Sequence, residues 1–216
     1  MSKAKNNYNL DYFNWYKNIG KFGGKINEEK FSKYIKSNDN ILDFGCGGGY
    51  LLANLQCNEK HGVEINEHAI EEAKNYASKI YKNTNDLPNN YYDKIISNHS
   101  LQHCEHPFLE VQNLYRSLKK DGLIILVTSC SSIKLDYKPN DINYQLYSWS
   151  PLNIGNLLDA ANFKIISIEK LYHKWPPKYE MVHKLFGVKI FKIICKVYGL
   201  FDRKITQVIS VGKKIN

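Results

Sequence analysis

The ten residues Ile41-Leu42-Asp43-Phe44-Gly45-Cys46-Gly47-Gly48-Gly49-Tyr50 constrain this chain more than any other stretch. The apolar pair Ile41-Leu42 suits a strand covered on both faces, and Asp43 stands near its carboxyl end, just before a run of glycines. Gly45, Gly47 and Gly49 permit a tight turn and let a ligand come close to the backbone. A buried strand that runs into such a turn and then into a helix is where an α/β sheet holds an adenosine-type ligand. A helix is expected to follow, from about Tyr50 through Leu55.

Spacing decides between adenosine ligands. The dinucleotide fingerprint needs its third glycine three residues after the second, and that position here is Tyr50. The pattern Asp-x-Gly-x-Gly-x-Gly from Asp43 to Gly49 instead resembles motif I of the class I S-adenosylmethionine-dependent methyltransferases, of small bacterial type. The resemblance spans about Ile41 to Val127. It implies that S-adenosylmethionine is the cofactor and S-adenosylhomocysteine the product, with Asp43, Gly45, Cys46, Gly47 and Gly49 around the cofactor. An acid suits a cation that brings no pyrophosphate. Cys46 is expected to be a small spacer in the loop and no nucleophile.

The next element, His61-Gly62-Val63-Glu64-Ile65-Asn66, reads as a second strand with Glu64 at its end. A carboxylate there can accept both ribose hydroxyls, with Ile65 alongside. In relatives an acid four residues before a Leu-Pro pair touches the adenine amino group. Here that position is Asn83, whose amide oxygen can still accept, and Thr84 is expected to offer a backbone amide. Asn98 and His99, just past the fourth strand, complete the implied cofactor set.

The coarse alternation of elements predicts a doubly wound, mostly parallel seven-stranded sheet, the Rossmann-like methyltransferase fold, with a helical N-terminal extension. A helix is expected over about Glu67 to Lys79, another from Glu105-His106-Pro107 to Leu118, and a turn at Lys119 to Gly122. Strands are expected over Leu123 to Thr128, Phe163 to Leu171 and Ile205 to Lys213, one of them reversed, with a helix over Pro151 to Asn162. The chain of 216 residues, 43% apolar and 13% aromatic, fits one methyltransferase domain. Within it residues 1–37 form a lid or cap, 38–130 the cofactor-binding core, and 131–216 the acceptor loop and C-terminal sheet region.

Composition narrows the surroundings. The five cysteines are scattered, with no Cys-x-x-Cys pair, so neither a disulfide framework nor a metal site is expected. The polar start Met1 to Asn7 is followed by no signal-peptide core, and no stretch approaches the ~20 apolar residues that span a bilayer; a cytoplasmic protein is expected. The net charge of +9 comes mainly from dispersed lysines, so nucleic acid is not the favoured partner, and small phosphorylated substrates gain from the same field.

The acceptor site is expected at the loops after strands four and five. Relatives that methylate amines often carry Asn-Pro-Pro-Tyr after strand four; this chain has Asn98-His99-Ser100-Leu101, which points to an oxygen acceptor. His99 is the first choice for a general base, with an acidic limb near the ~6.5 of ordinary histidine in its pH–rate profile. His103 and Asp141 are the alternatives. Tyr16, Lys138, Asn143, Tyr144, Tyr147 and Trp149 are candidate substrate contacts, with Lys138 meeting a phosphate. The segment from Tyr137 to Trp149 is similar to methyltransferases associated with bacterial surface-polysaccharide genes.

The N-terminal aromatics Tyr8, Tyr12, Phe13, Trp15 and Tyr16 suit a lid that excludes water, a packing element, or both. From Tyr179 to Phe201, apolar residues share a helical stretch with four lysines; packing on the sheet or in a homodimer ranks ahead of peripheral membrane contact. The expected function is O-methylation of a small phosphorylated or nucleotide-linked, sugar-like precursor in capsular or other cell-surface polysaccharide synthesis. An RNA-modifying methyltransferase and a catalytically silent partner subunit of the same fold are the alternatives.

Overall fold

A computed structural model describes residues 7–216; the start of the polar segment and of the expected lid, residues 1–6, lies outside the described residues. The central strands explain the architecture. Successive side chains of a strand point to opposite faces, and here both faces are apolar. Leu42, Ile95, Ile124 and Leu126 enter one core cluster, while Ile41, Ile96, Ile125 and Val127 enter the other. Such a sheet must be covered on both sides by helices.

The strands are β1 (Asn40–Phe44), β2 (Glu59–Val63), β3 (Lys79–Tyr81), β4 (Tyr92–Asn98), β5 (Leu118–Ser131), β6 (Lys164–Leu171) and β7 (Ile205–Lys213). They lie in the order β3-β2-β1-β4-β5-β7-β6. All neighbours are parallel except β7, which runs antiparallel to both β5 and β6. The helices are α1 (Leu10–Asn27), α2 (Glu29–Ser32), α3 (Glu67–Ala73), α4 (Pro107–Ser117), α5 (Pro151–Ala160) and α6 (Tyr179–Phe201). The order reverses between β1 and β4, so the carboxyl ends of these two strands open a crevice.

Three expectations change. The helix after the glycine turn shrinks to a 3₁₀ turn at Leu52–Asn54. There the Asn54 amide donates to the Tyr50 carbonyl at 2.8 Å, Leu55 bonds back to Leu52, and Leu55 is extended. The helix expected over Glu67 to Lys79 stops at Ala73, because Ser78 donates its backbone N–H to Lys60 and Lys79 joins β3. The Lys119 to Gly122 turn is instead part of β5, which begins at Leu118 opposite Tyr92 and absorbs Asp121, at φ 65°, as an irregularity. Lys119 holds this stretch to β4 through Asp93 at 2.8 Å.

Helix α1 lies over the crevice. Its glycines let it approach: a Cβ on Gly24 would sit 2.4 Å from the Tyr50 carbonyl oxygen. A third core cluster, Ile26, Phe191 and Cys195 with Phe22, Trp175 and Tyr179 packed on it, ties α1 to α6.

Candidate active site

A cavity of about 830 Å³ occupies the crevice, floored by the ends of β1, β2 and β4 and roofed by α1. Asp43, Gly45, Cys46, Gly47, Glu64, Ile65, Asn83, Thr84, Asn98 and His99 all line it. Gly45 and Gly47 adopt φ values of 74° and 53°, and a Cβ on Gly45 would overlap Ser100. Tyr16, from α1, faces Gly47 across the cavity: a Cβ there would stand 3.3 Å from its ring. Gly49 is not in the wall; its φ of 76° completes the turn, and it packs on Ala73 and Tyr76 of the α3 side.

The two acids sit together where the ends of β1 and β2 meet the cavity. Burial, then the neighbouring Glu64, pushes the Asp43 carboxyl up to about 8. Burial raises Glu64 too, opposed by three backbone donors. Its Oε2 accepts from Gly47 at 2.8 Å, and its Oε1 from Ile65 and Asn66, both at 2.8 Å. A carboxylate offers about four acceptor positions, so this conformation leaves about one. Glu64 therefore clips the glycine loop to the end of β2, and accepting both ribose hydroxyls requires it to release the Gly47 amide.

Toward the adenine side, Asn83 donates its amide to Asp86 at 3.2 Å, and Asp86 is absent from the wall. Thr84 donates its hydroxyl to Glu110 at 2.6 Å and accepts from Asn113 at 3.0 Å. The buried Asn98 Oδ1 and Gln102 Oε1, both in residues of the cavity wall, have no hydrogen-bond partner among the described residues. A buried pair of acids, unpaired acceptor oxygens and a glycine turn open to the cavity fit a cationic, donor-rich adenosine ligand.

The opposite end has the reverse character, and here sequence reasoning missed the main residues. Lys30, in α2, is buried behind the cavity wall and reaches Gln207 of β7 at 2.8 Å; among the described residues no carboxylate forms an ion pair with it. Burial pushes its ammonium down to about 7. Gln207 lies in the cavity wall and donates to the His173 carbonyl at 3.0 Å. His99, at φ 62°, is held by its own amide on Val127 at 2.8 Å, and Gln102 contacts its Nδ1 at 3.4 Å. Burial, and then Lys30, pushes His99 down to about 3; burial and Lys30 also take His173 to about 4. The acidic limb near 6.5 expected from His99 is thereby corrected: its imidazole is already neutral well below that pH.

The remaining candidates divide. Asn143 and His103 line the cavity. Burial lowers His103, whose Nδ1 has no hydrogen-bond partner among the described residues and whose ring stands edge-on to Tyr8. Asp141, Lys138, Tyr144 and Tyr147 are not in the wall. Lys138 is exposed, Tyr147 donates its hydroxyl to the Glu105 carbonyl at 3.2 Å, and Asp141 receives the Asn143 amide at 3.3 Å. Trp149 points into the core and stacks on Tyr147 with ring centres 5.6 Å apart. The backbone bonds of Leu146 and Tyr147 to the Gln102 carbonyl, and of Trp149 to the Ser129 carbonyl, tie this segment to the turn after β4 and the end of β5, and Tyr144, Tyr147 and Trp149 stay out of the cavity wall. Only side-chain contacts across β4, β5 and β7 reveal Lys30, Gln207 and His173; no local pattern marks them.

This site belongs to a known class. A family model described as a methyltransferase domain matches residues 23–168, more than half of the chain, and the chain belongs to that family. It is an S-adenosylmethionine-dependent methyltransferase. It is 25% identical, over 94% of its length and 89% of the relative's, to a ubiquinone biosynthesis O-methyltransferase of Rickettsia typhi. Among solved structures, one described as a possible histamine N-methyltransferase of Thermotoga maritima superposes with a TM-score of 0.66 and 17% identity over 94% of both chains. A phosphoethanolamine N-methyltransferase of Haemonchus contortus, in complex with phosphomonomethylethanolamine and S-adenosylhomocysteine, superposes with a TM-score of 0.61 and 14% identity over 87% of this chain and 51% of that one.

Proposed function

We propose that this chain methylates an oxygen of a small acceptor that carries an anionic group. The observation behind this reading is the polarity around the cavity: Asp43 and Glu64 line one end, His99, His173 and Gln207 line the other, and the buried Lys30 stands behind that wall, bonded to Gln207. S-adenosylmethionine supplies an activated methyl group when bound. Asp43 favours its positive charge, and the glycine turn admits it to the backbone. Glu64, Asn83 and Thr84 would orient the adenosine, and Asn98 with His99 would border the reacting end. Tyr12, Tyr16 and Trp175 keep water from the cavity, and α1 acts as the lid.

At the acceptor end, a buried ammonium without a carboxylate is costly, and an anionic acceptor would neutralise it through Gln207 and across the wall. His99, neutral at physiological pH, can receive a hydroxyl proton only weakly, because a base held near 3 is poorly matched to that task. Alignment of the acceptor oxygen is then the larger contribution. The O-methyltransferase of Rickettsia typhi favours oxygen over nitrogen for this chain as well. A surface-polysaccharide precursor is the narrower form of the same reading, with its phosphate at Gln207, in front of Lys30, and no longer at the exposed Lys138. The chain is proposed to be one domain with residues 1–37 as its cap.

The deciding experiment measures S-adenosylhomocysteine formation with nucleotide sugars, sugar phosphates, phenolic acids, neutral alcohols, amines and RNA. Anionic oxygen acceptors should turn over, and kcat/KM should fall as pH rises through about 7, where Lys30 loses its proton. Lys30→Met should lower kcat/KM for the anionic acceptor and remove that limb, while Lys30→Arg keeps activity at high pH. Turnover confined to amines or RNA, or a pH profile that Lys30→Met leaves unchanged, would overturn the proposal.

A further inference from the structure

Helix α6 is inside out. A surface helix ordinarily buries its apolar stripe and wets the opposite face. In α6 the buried positions are Phe191, Cys195 and Gly199, four residues apart. At about 100° per residue, the side opposite them carries Ile190, Ile193, Val197, Leu200 and Phe201. All five are exposed, Ile193 at 61% and Phe201 at 85%. Before the break at Gly187, whose φ is 69°, Leu185 and Phe186 are exposed too. The stripe continues past the helix. The Ser132 amide donates to the Lys204 carbonyl at 2.8 Å, which places the wholly exposed Ile133 beside the loop that follows Phe201. A contiguous apolar surface of this kind marks a contact site.

The charges around it select the occupant. Lys184, Lys189 and Lys196 are exposed along the same helix, and Arg203, Lys204 and Lys134 are exposed at its far end. The neighbouring acids are engaged: Glu29 with Lys192 and Asp202 with Lys174, both at 2.6 Å. Lys189 and Lys196 lie on one border of the apolar face, where their ammonium groups can meet negative charge as the hydrocarbon face goes in. A second copy of this chain would set these lysines against their own equivalents. Among the described residues, no helix is long and apolar enough to cross a membrane.

We propose that the outward face of α6, extended by Ile133, docks in the plane of an anionic lipid surface. The geometry carries a consequence for the site, since Tyr179 at the start of α6 and Ile205 at the start of β7 both line the cavity. Docking therefore puts the cavity wall beside the headgroup region. This inference is independent of which acceptor is methylated.

The test is co-sedimentation of the full chain with vesicles of phosphatidylcholine alone or mixed with phosphatidylglycerol, alongside its oligomeric state by light scattering. The protein should be monomeric and bind the mixed vesicles, with affinity that falls with salt. Ile193→Glu together with Phe201→Glu should abolish binding. Lys189→Gln with Lys196→Gln should weaken it about thirtyfold, at roughly a fivefold loss for each positive charge removed from an anionic surface. Each variant should keep wild-type affinity for S-adenosylmethionine, which shows that it is folded. A folded wild-type protein that binds no vesicles, binding that ignores vesicle charge, or a dimer that Ile193→Glu dissociates would each overturn the proposal.

Discussion

Asp43 illustrates how one residue carries a testable electrostatic state. Its carboxyl is pushed up to about 8 by burial first and by Glu64 second. A cation favours the ionised form, so binding a sulfonium ligand near pH 7 should expel a proton, and affinity should rise with pH up to about 8. Calorimetry in buffers of different ionisation heat reads this directly. Asp43→Asn should remove the proton release and weaken S-adenosylmethionine about ten- to a hundredfold, as expected for a lost contact to a charged group. Proton release that persists in Asp43→Asn would assign it elsewhere. Asp43 was legible from the glycine pattern beside it. Lys30 was not, because its significance comes from its burial against Gln207 with no ion pair among the described residues.

At the level of elements, α1 depends on its glycines more than on helix propensity. Alanine at position 24 should gain up to ~1 kcal/mol of intrinsic helix preference. The added methyl, however, would stand 2.4 Å from the Tyr50 carbonyl oxygen, which is backbone and cannot rotate away. Overpacking of this kind costs roughly 1–3 kcal/mol, so Gly24→Ala should lower the melting temperature and loosen the roof over the cavity. Denaturant melts together with S-adenosylmethionine titration check this; a more stable variant of unchanged affinity would show that α1 is free to lift. The helical nature of the N-terminal extension was readable from its sequence. The early end of α3 was not, because β3 recruits Lys79 from outside the helix.

For the whole molecule, the buried bases set the acid limit. His99 and His173 are pushed down to about 3 and about 4. The unfolded chain takes protons near ~6.5, so between these values it binds more protons than the fold does. The stability they confer is present above ~6.5 and is lost as pH falls toward 4. Asp43 acts oppositely: its raised value gives a contribution that is full below ~3.9 and fades as pH rises from there to about 8, so over the same range it offsets part of the histidine effect. Thermal melts from pH 4 to 7 should show an acid loss, the two histidines outweighing Asp43, that the double variant His99→Gln, His173→Gln flattens or reverses. An unchanged slope in that variant would place the acid sensitivity in other groups.

The cofactor end was written in contiguous residues. Asp43, the glycines and Glu64 act through a turn and two strand ends, and a turn needs its special residues at fixed offsets whatever surrounds it. The parallel sheet followed from the apolar runs for a similar local reason. The proposed acceptor end had no such offsets. Lys30 meets Gln207 across 177 positions of sequence, and His173 joins them only because β7 runs antiparallel between β5 and β6. Likewise the apolar and basic residues of α6 were plain in the sequence, but which side faced the core was decided by Phe191, Cys195 and Gly199 packing inward. Periodicity establishes that a helix has two faces; only the tertiary structure chooses which of them is left to the solvent.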